Sequence, residues 1–402
     1  MKTATVTWIT YNNYGTELQA FALQHYIEEL GVENIILSDS NIVEELYNKM
    51  ALSYSNSDTD IQNVNNITSY NSKESVIFRG INYAHKVKKS IKKRRKKKLA
   101  MQEKFFQHDT DKLFEEFKRN KLKIQYNIQK NHLESLNNSF DAFICGSDQI
   151  WSLLKQNFDP YFFLNFVKKK KIAYAASVGA NTIDETFINT LEKLLGDFNY
   201  LSVREKETSL QLTEMLSRRV NWVVDPTLLY DKAFWVEQIK EIKLKNKKEY
   251  LVCYFLENKD WYFEYALDLA EYMNLKLIII PSRKEYLHKK FVYNRPVGPL
   301  EFVKFIEQAS FVLTDSYHGA LFSINFNKQF VYLKRFSDSD YNCQNVRIYS
   351  ILNYLKLSQL IIEDKKFEKS DIKIVDYNLV NPLIDRFREK SKRYIYRSLF
   401  DE

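Results

Sequence analysis

The sequence predicts an α/β protein built from two Rossmann-like domains with mostly parallel sheets. Three observations lead there. Short apolar runs of strand length alternate with amphipathic helical stretches in both halves of the chain. The length, 402 residues, suits two or three domains. With 45% hydrophobic and 28% charged residues but only 8 Gly and 6 Pro, the chain can build a core and cannot be collagen-like or low-complexity.

The elements follow in order. Thr3–Thr10 alternates like a strand, Tyr11–Thr16 is a polar turn, and Leu18–Leu30 carries an apolar helical face that Gly31 ends. Val32–Leu37 reads as the next strand, so the chain opens with a βαβ unit. Leu52–Glu74 is rich in Ser, Asn and Asp and aperiodic, which predicts a loop. Helical pattern resumes through the basic run and continues to about Lys123. Asp141–Cys145, Ile172–Val178, Asn199–Val203 and Val220–Val224 read as strands of the first half. The charged stretch Lys240–Glu249 reads as a connection. Beyond it come strands at Tyr250–Leu256, Leu275–Ile280, Phe311–Thr314 and Phe330–Leu333. Helices are predicted at Tyr262–Met273, Leu300–Ala309 and His318–Asn325. Pro382–Phe400 reads as a basic amphipathic helix that packs back over the first domain.

Charge and cysteine content narrow the function. The net charge is +9, yet Lys86–Lys98 (KVKKSIKKRRKKK) holds ten basic residues and no acid, so the rest of the chain is close to neutral. One basic patch on a neutral body argues for a single localised electrostatic contact and against a nucleic-acid-coating protein. Three Cys without a C-x-x-C pair cannot form a disulfide framework and read as buried thiols. No apolar stretch reaches membrane-span length, and the N-terminus lacks the apolar core and cleavage site of a signal peptide. The expectation is a cytoplasmic protein.

Several chemistries leave no motif. There is no G-x-G-x-x-G, no G-x-x-x-x-G-K-[ST], no H-E-x-x-H and no G-x-S-x-G. The D-x-D pairs Asp58/Asp60, Asp109/Asp111 and Asp338/Asp340 are of a kind that arises by chance, so no metal site and no cofactor are expected. The informative places are the mouths of predicted strands, where ligands of open α/β sheets bind. Four qualify: Asn12–Glu17, Cys145–Trp151, Ser202–Glu205 and Thr314–Gly319. The first and last open helices, whose free N–H groups suit an anion.

NNYGTELQAFALQ, ICGSDQIW, AYAASVG, SVRE, VVDPTLL and LTDSYHGALFSINFNKQFV occur in one order across about residues 5–350. Together they resemble the polysaccharide pyruvyl transferase family. The resemblance implies a two-domain, glycosyltransferase-B-like arrangement. Residues 1–230 would form the acceptor-side domain, with the basic segment 86–98. Residues 231–380 would form the donor side, and 381–402 the C-terminal helix. It also implies transfer of pyruvyl from phosphoenolpyruvate to two hydroxyls of a sugar, giving a ketal on a lipid-linked or other cell-surface glycan precursor.

That chemistry assigns expected roles. Phosphoenolpyruvate bears a carboxylate and a phosphate, which guanidinium forks and helix N-termini suit. Its carbon 3 must be protonated, and His is the commonest general acid. His318 aligns with the family's catalytic histidine, and Arg204 with the arginine of its S-x-R-[ED] segment. The plainer readings are a capping or core histidine and a surface salt bridge from Arg204 to Glu205 or Glu207. Many members carry Arg-Leu-His where this chain has Ser316-Tyr317-His318, a Ser-aromatic-His-Gly version that ends on Gly319. Arg335 and Arg347 are the candidates to replace the missing arginine. Asp148 and Glu17 are candidate bases. Asp148 reads equally as a helix N-cap, and Glu17 as a solvent-facing acid of the first helical turn. Asn13, Tyr14, Gly15 and Ser147 complete the expected substrate contacts. Trp8 and Trp151 read as core before sugar platforms.

Two other readings stay open at this point. One is a sugar-nucleotide-dependent glycosyltransferase of the same fold, distinguished by release of UDP. The other is nucleic-acid binding through the basic run, which lacks the aromatic interleaving of such sites. An anionic membrane surface suits Lys92, Lys93, Arg94, Arg95, Lys96, Lys97 and Lys98 better, because each nearby Lys or Arg contributes about 1 kcal/mol of attraction to it.

Overall fold

The protein is described from a computed structural model. It describes residues 1–42, 101, 103–152, 159–244, 248–283, 286–287, 289, 291–340 and 343–401. The predicted loop at Leu52–Glu74 and the whole basic run lie outside the described residues.

The first sheet contains five parallel strands in the order β3-β2-β1-β4-β5. They are β1 (Lys2–Val6), β2 (Glu33–Leu37), β3 (Ile124–Gln125), β4 (Ala142–Cys145) and β5 (Lys170–Ala173). Helix α1 (Tyr14–Glu29) crosses from β1 to β2. A helical segment over 103–121 leads into β3. β1 and β4 are buried along most of their length, as expected for central strands of a sheet covered on both faces. The order reverses between β1 and β4, so their carboxyl ends at Val6 and Cys145 open a crevice. β1 is shorter than the alternation at Thr3–Thr10 predicts, because the chain leaves the sheet after Val6 to form this mouth. β5 likewise stops at Ala173, and Ala175 takes a left-handed φ of 52°. Beyond β5, helices α2 (Glu185–Leu195) and α3 (Lys206–Met215) flank a two-stranded parallel pair, β6 (Ser202–Val203) and β7 (Asn221–Trp222).

The second sheet is also five-stranded and parallel, in the order β12-β11-β10-β8-β9. After α4 (Lys232–Gln238) it is formed by β8 (Tyr250–Tyr254), β9 (Lys276–Ile280), β10 (Phe311–Thr314), β11 (Phe330–Leu333) and β12 (Ile361–Ile362). Helices α5 (Asp260–Tyr272), α6 (Pro299–Gln308), α7 (Tyr317–Asn325) and α8 (Val346–Tyr354) connect them. Here the reversal lies between β8 and β10, at Tyr254 and Thr314.

Helix α9 (Tyr377–Phe400) ties the two halves together. Near its start, Gln329 donates to the Val375 carbonyl (3.1 Å), on the second half of the chain. Farther along, Ser391 accepts from the Val224 N–H (2.9 Å) and Tyr394 donates to the Ala173 carbonyl (2.9 Å), both in the first half. The helix begins at Tyr377, five residues before the predicted Pro382. Asp376 caps it by accepting from the Asn378 N–H, so the proline sits inside the helix and does not open it. No helix among the described residues is long and apolar enough to cross a membrane.

Candidate active site

Two helix N-termini meet where the crevices face each other. Asn13 caps α1 by accepting from the Gly15 and Thr16 N–H groups. Ser316 caps α7 by accepting from the Gly319 N–H at 3.3 Å. This leaves Gly15 against the imidazole of His318: a Cβ added at Gly15 would lie 1.8 Å from His318 Nδ1. Only a residue without a side chain permits this approach. Gly319 is equally confined, since its Cβ would fall 2.6 Å from Thr314 Oγ1. Tyr14 secures the junction beside them. Its ring stacks on Phe302 with centroids 4.6 Å apart, and its hydroxyl donates to the Val297 carbonyl at 3.1 Å.

Arg204 is the electrostatic hub. Its side chain is fully buried and faces three carboxylates: Asp225 at 2.9 Å, Asp148 at 3.2 Å and Glu205 at 3.5 Å. Burial works against its charge, but Asp148 and Asp225 outweigh it and keep the guanidinium firmly protonated. Asp225 is shared: its Oδ2 takes the Arg204 bond and faces His318 Nε2 at 3.5 Å. Burial raises the Asp225 carboxyl, yet His318 and Arg204 together hold it below the usual carboxylate range. Asp148 is also lowered, burial being overcome by Arg204 and His318, and it accepts from Thr16 Oγ1 at 2.6 Å. The surface-bridge reading of Arg204 is therefore corrected. The strand-end position of Ser202–Glu205 turns the guanidinium into the junction and away from solvent.

Glu17 is corrected in the same way. Its side chain is fully buried, with Lys118 Nζ 3.6 Å away. Neither carboxylate oxygen accepts a hydrogen bond from a described residue. Burial, opposed by Lys118, pushes its carboxyl up to about 8. His318 Nε2 and the Glu205 oxygens are likewise buried without a hydrogen-bond partner among the described residues. Orphaned polar atoms of this kind are rare in folded proteins and gather here at the junction.

Arg335 and Arg347 differ sharply. Arg335 spends its guanidinium on Glu257, at 2.8 and 3.2 Å. Arg347 bonds only neutral groups among the described residues: the Gln344 carbonyl at 3.3 Å and Gln344 Oε1 at 2.8 Å. Burial, with Arg204 and Arg335 nearby, lowers Arg347 to about 10. Its guanidinium lies 6.0 Å from the centroid of the Tyr317 ring, which Arg204 also faces at 4.8 Å. Gln344 takes a further bond from Gln149 Nε2 at 2.8 Å, so the residue after Asp148 reaches the second half of the chain.

Comparison with known proteins decides the family. The family model of polysaccharide pyruvyl transferases matches residues 13–335, more than half of the chain. The chain belongs to that family. Membership makes it a transferase enzyme. The fold is of the glycosyltransferase-B type, as in UDP-GlcNAc 2-epimerase from Neisseria meningitidis, solved bound to UDP-GlcNAc. That structure is 11% identical, is covered over 100% of both chains and has a TM-score of 0.50. The UDP-GlcNAc 2-epimerase of Methanocaldococcus jannaschii gives 13% identity, 99% coverage of both chains and a TM-score of 0.48. No curated protein matches the chain.

The remaining expected residues of this transferase fall in different places. Ser147 is buried in the first crevice wall, donating to the Ala175 carbonyl at 2.6 Å. Trp8 and Trp151 are buried in the core, as are all three cysteines, which are free thiols. A cavity of about 810 Å³ beside β9, lined in part by Lys276, Tyr293 and Arg295, contains none of the junction residues. The Lys92–Lys98 patch lies outside the described residues. Sequence reasoning did not single out Asp225, although it sits in the quoted VVDPTLL segment, where an Asp-Pro pair after a strand was the available signal. Lys118 and Gln344 also went unnamed, and Gln149 was read only as part of the strand mouth Cys145–Trp151. Lys118 and Gln344 belong to no motif, and only the folded chain brings them to the junction.

Proposed function

We propose that the enzyme transfers pyruvyl from phosphoenolpyruvate to two hydroxyls of a sugar in a cell-surface glycan precursor. The observation that supports this reading is that His318 and Arg347 both lie against Tyr317. An imidazole facing a buried carboxylate and a guanidinium that forms no ion pair with a described residue flank the same Tyr317 ring.

In this reading Arg347 receives the carboxylate or phosphate of the donor, a role open to it because Gln344 is a neutral partner that an anion can displace. Arg335, already paired with Glu257, is the poorer candidate. The N-terminus of α7, with Ser316 in place of an arginine, adds backbone N–H groups. His318 gives a proton to carbon 3, and carbon 2 becomes electrophilic. A sugar hydroxyl adds there and its proton goes to a base. The second hydroxyl then displaces phosphate, and its proton leaves with the phosphate or returns to the ring. Asp225 faces His318 Nε2 at 3.5 Å as its charge partner, and Nδ1 lies toward Gly15 and the first half of the chain. Glu17 suits the base better than Asp148, because a base works best with a pKa near the operating pH and Asp148 is held low by Arg204. Asn13 and Ser147 shape the acceptor side.

The acceptor in this reading is carried on a lipid at an anionic membrane face, where the basic run Lys86–Lys98 would hold the enzyme as a peripheral protein. The test is incubation of the purified enzyme with phosphoenolpyruvate and lipid-linked oligosaccharides. Stoichiometric phosphate release and a gain of one pyruvyl ketal by mass spectrometry are expected. UDP release from a nucleotide sugar, with phosphoenolpyruvate inert, would reject the reading.

A further inference from the structure

The helical segment over 103–121 lies against the β1–α1 loop and carries Asp111, Glu115 and Lys118 along one side. Asn12 Nδ2 donates to Asp111 at 2.7 Å. Lys118 lies beside the helix's core-facing Phe114 and Phe117, and only 5% of its side chain is exposed. Its ammonium donates to Asn12 Oδ1 at 3.2 Å and to the Ile9 carbonyl at 3.4 Å, and pairs with Glu115 at 2.8 Å. Glu17 faces it at 3.6 Å from the first turn of α1, two residues after the glycine that touches His318. Burying a lysine is unfavourable unless it is paired, and this one is placed where a buried carboxyl lacks hydrogen-bond donors.

We propose that Lys118 is a positioning residue of the reaction, an ammonium that fixes the orientation and charge state of Glu17. The proposal rests on the reading of Glu17 as the acceptor base. Four groups act on that carboxyl: Lys118 and Glu115 from the helical segment, Asp39 after β2, and Tyr126 after β3. Lys118 alone favours the ionised form. Burial, Glu115 and Asp39 oppose it. Lys118 is itself held charged, since Glu17 and Glu115 outweigh its burial. Removing it would leave Glu17 with no described cation and drive it further toward the neutral acid, which cannot accept a proton from a sugar hydroxyl.

The experiment follows the full-length enzyme labelled with ¹³C at glutamate side-chain carboxyls. Titrations and pH–rate profiles are recorded for wild type, Lys118→Met, Lys118→Arg and Glu17→Gln, the last identifying the Glu17 resonance. An opposite charge within about 4–6 Å lowers a carboxyl pKa by about 1–3. In Lys118→Met the Glu17 midpoint should therefore rise by at least about one pH unit. The ascending limb of the rate should move with it, and Lys118→Arg should restore most of both. An unmoved midpoint and limb in Lys118→Met, with Glu17→Gln inactive, would overturn the role of Lys118 and leave Glu17 as the base. Wild-type turnover in Glu17→Gln would instead overturn the reading of Glu17. If the Lys118 variants do not fold, Glu115→Gln on the exposed flank decides. Losing that carboxylate frees the ammonium for Glu17 and should lower its midpoint, and an unchanged midpoint would overturn the proposal.

Discussion

Gly15→Ala is a change of one methyl group that should disable the enzyme without disturbing either sheet. The added Cβ would lie 1.8 Å from His318 Nδ1 and 2.3 Å from its Cγ. Non-bonded carbon and nitrogen atoms settle at about 3.5 Å. The ring or the whole of α7 must therefore move by about 1.5 Å. A misplacement of about 1 Å can cost about 10²-fold in rate, and loss of general acid catalysis costs about 10²–10⁴-fold. We expect kcat to fall by at least about 10²-fold. The backbone is not the cause, because Gly15 has no left-handed φ and Ala is the better helix former. The assay is phosphate release from phosphoenolpyruvate in the presence of acceptor, with circular dichroism and thermal melting as controls. A double variant isolates the contact. In a His318→Ala background the methyl meets no imidazole, so the loss of stability that the Gly15–His318 clash causes should largely vanish. Near wild-type turnover in Gly15→Ala, or an equal loss of stability in both backgrounds, would refute the assignment of the Gly15–His318 contact to the working site.

Other outcomes follow from the same geometry. His318→Gln should lower turnover by about 10²–10⁴-fold while the melting temperature stays close to wild type. Arg347→Met should raise the KM for phosphoenolpyruvate with little effect on the acceptor, whereas Arg335→Met should mainly loosen Glu257; steady-state kinetics with each substrate varied distinguish the two. Arg204→Met should destabilise the fold by about 3–5 kcal/mol in denaturant titrations, because it strands Asp148, Asp225 and Glu205 as buried carboxylates. Glu17 has a folded pKa of about 8, above its ordinary 4.5. Its favourable contribution is therefore complete below about pH 4.5 and is lost as pH rises toward 8, at up to about 1.4 kcal/mol per pH unit. Glu17→Gln should accordingly match wild type at pH 4 and exceed it at pH 8. Anionic vesicles should bind the enzyme at low salt and release it at high salt, and replacing Lys92–Lys98 with neutral residues should abolish the binding.

The fold was legible because its signals are local. Buried parallel strands read as short apolar runs, and β4, β10 and β11 appear in the sequence almost as they appear in the structure. Errors fell where tertiary geometry overrides a run. β1 stops at Val6 because the chain must turn into the crevice, and α9 runs through Pro382 because the cap at Asp376 begins the helix earlier. The site was half legible. His318, Gly15, Arg204 and Asp148 lie at strand mouths, where the topology of an open sheet directs ligands. What no local pattern could show is who neutralises whom. In the sequence Arg204 sits at a predicted strand mouth and Arg347 well beyond the last predicted strand, and neither position shows what neutralises it. One is enclosed by three carboxylates, whereas the other, among the described residues, hydrogen-bonds only the side chain and carbonyl of Gln344. The difference arises from chain crossings of 21 residues between Arg204 and Asp225 and 56 between Arg204 and Asp148. The charge of Arg204 is already balanced by carboxylates of its own half of the chain. Within the proposed function, a guanidinium at the junction that forms no ion pair with a described residue remains for an anionic donor, and Arg347 is in that position.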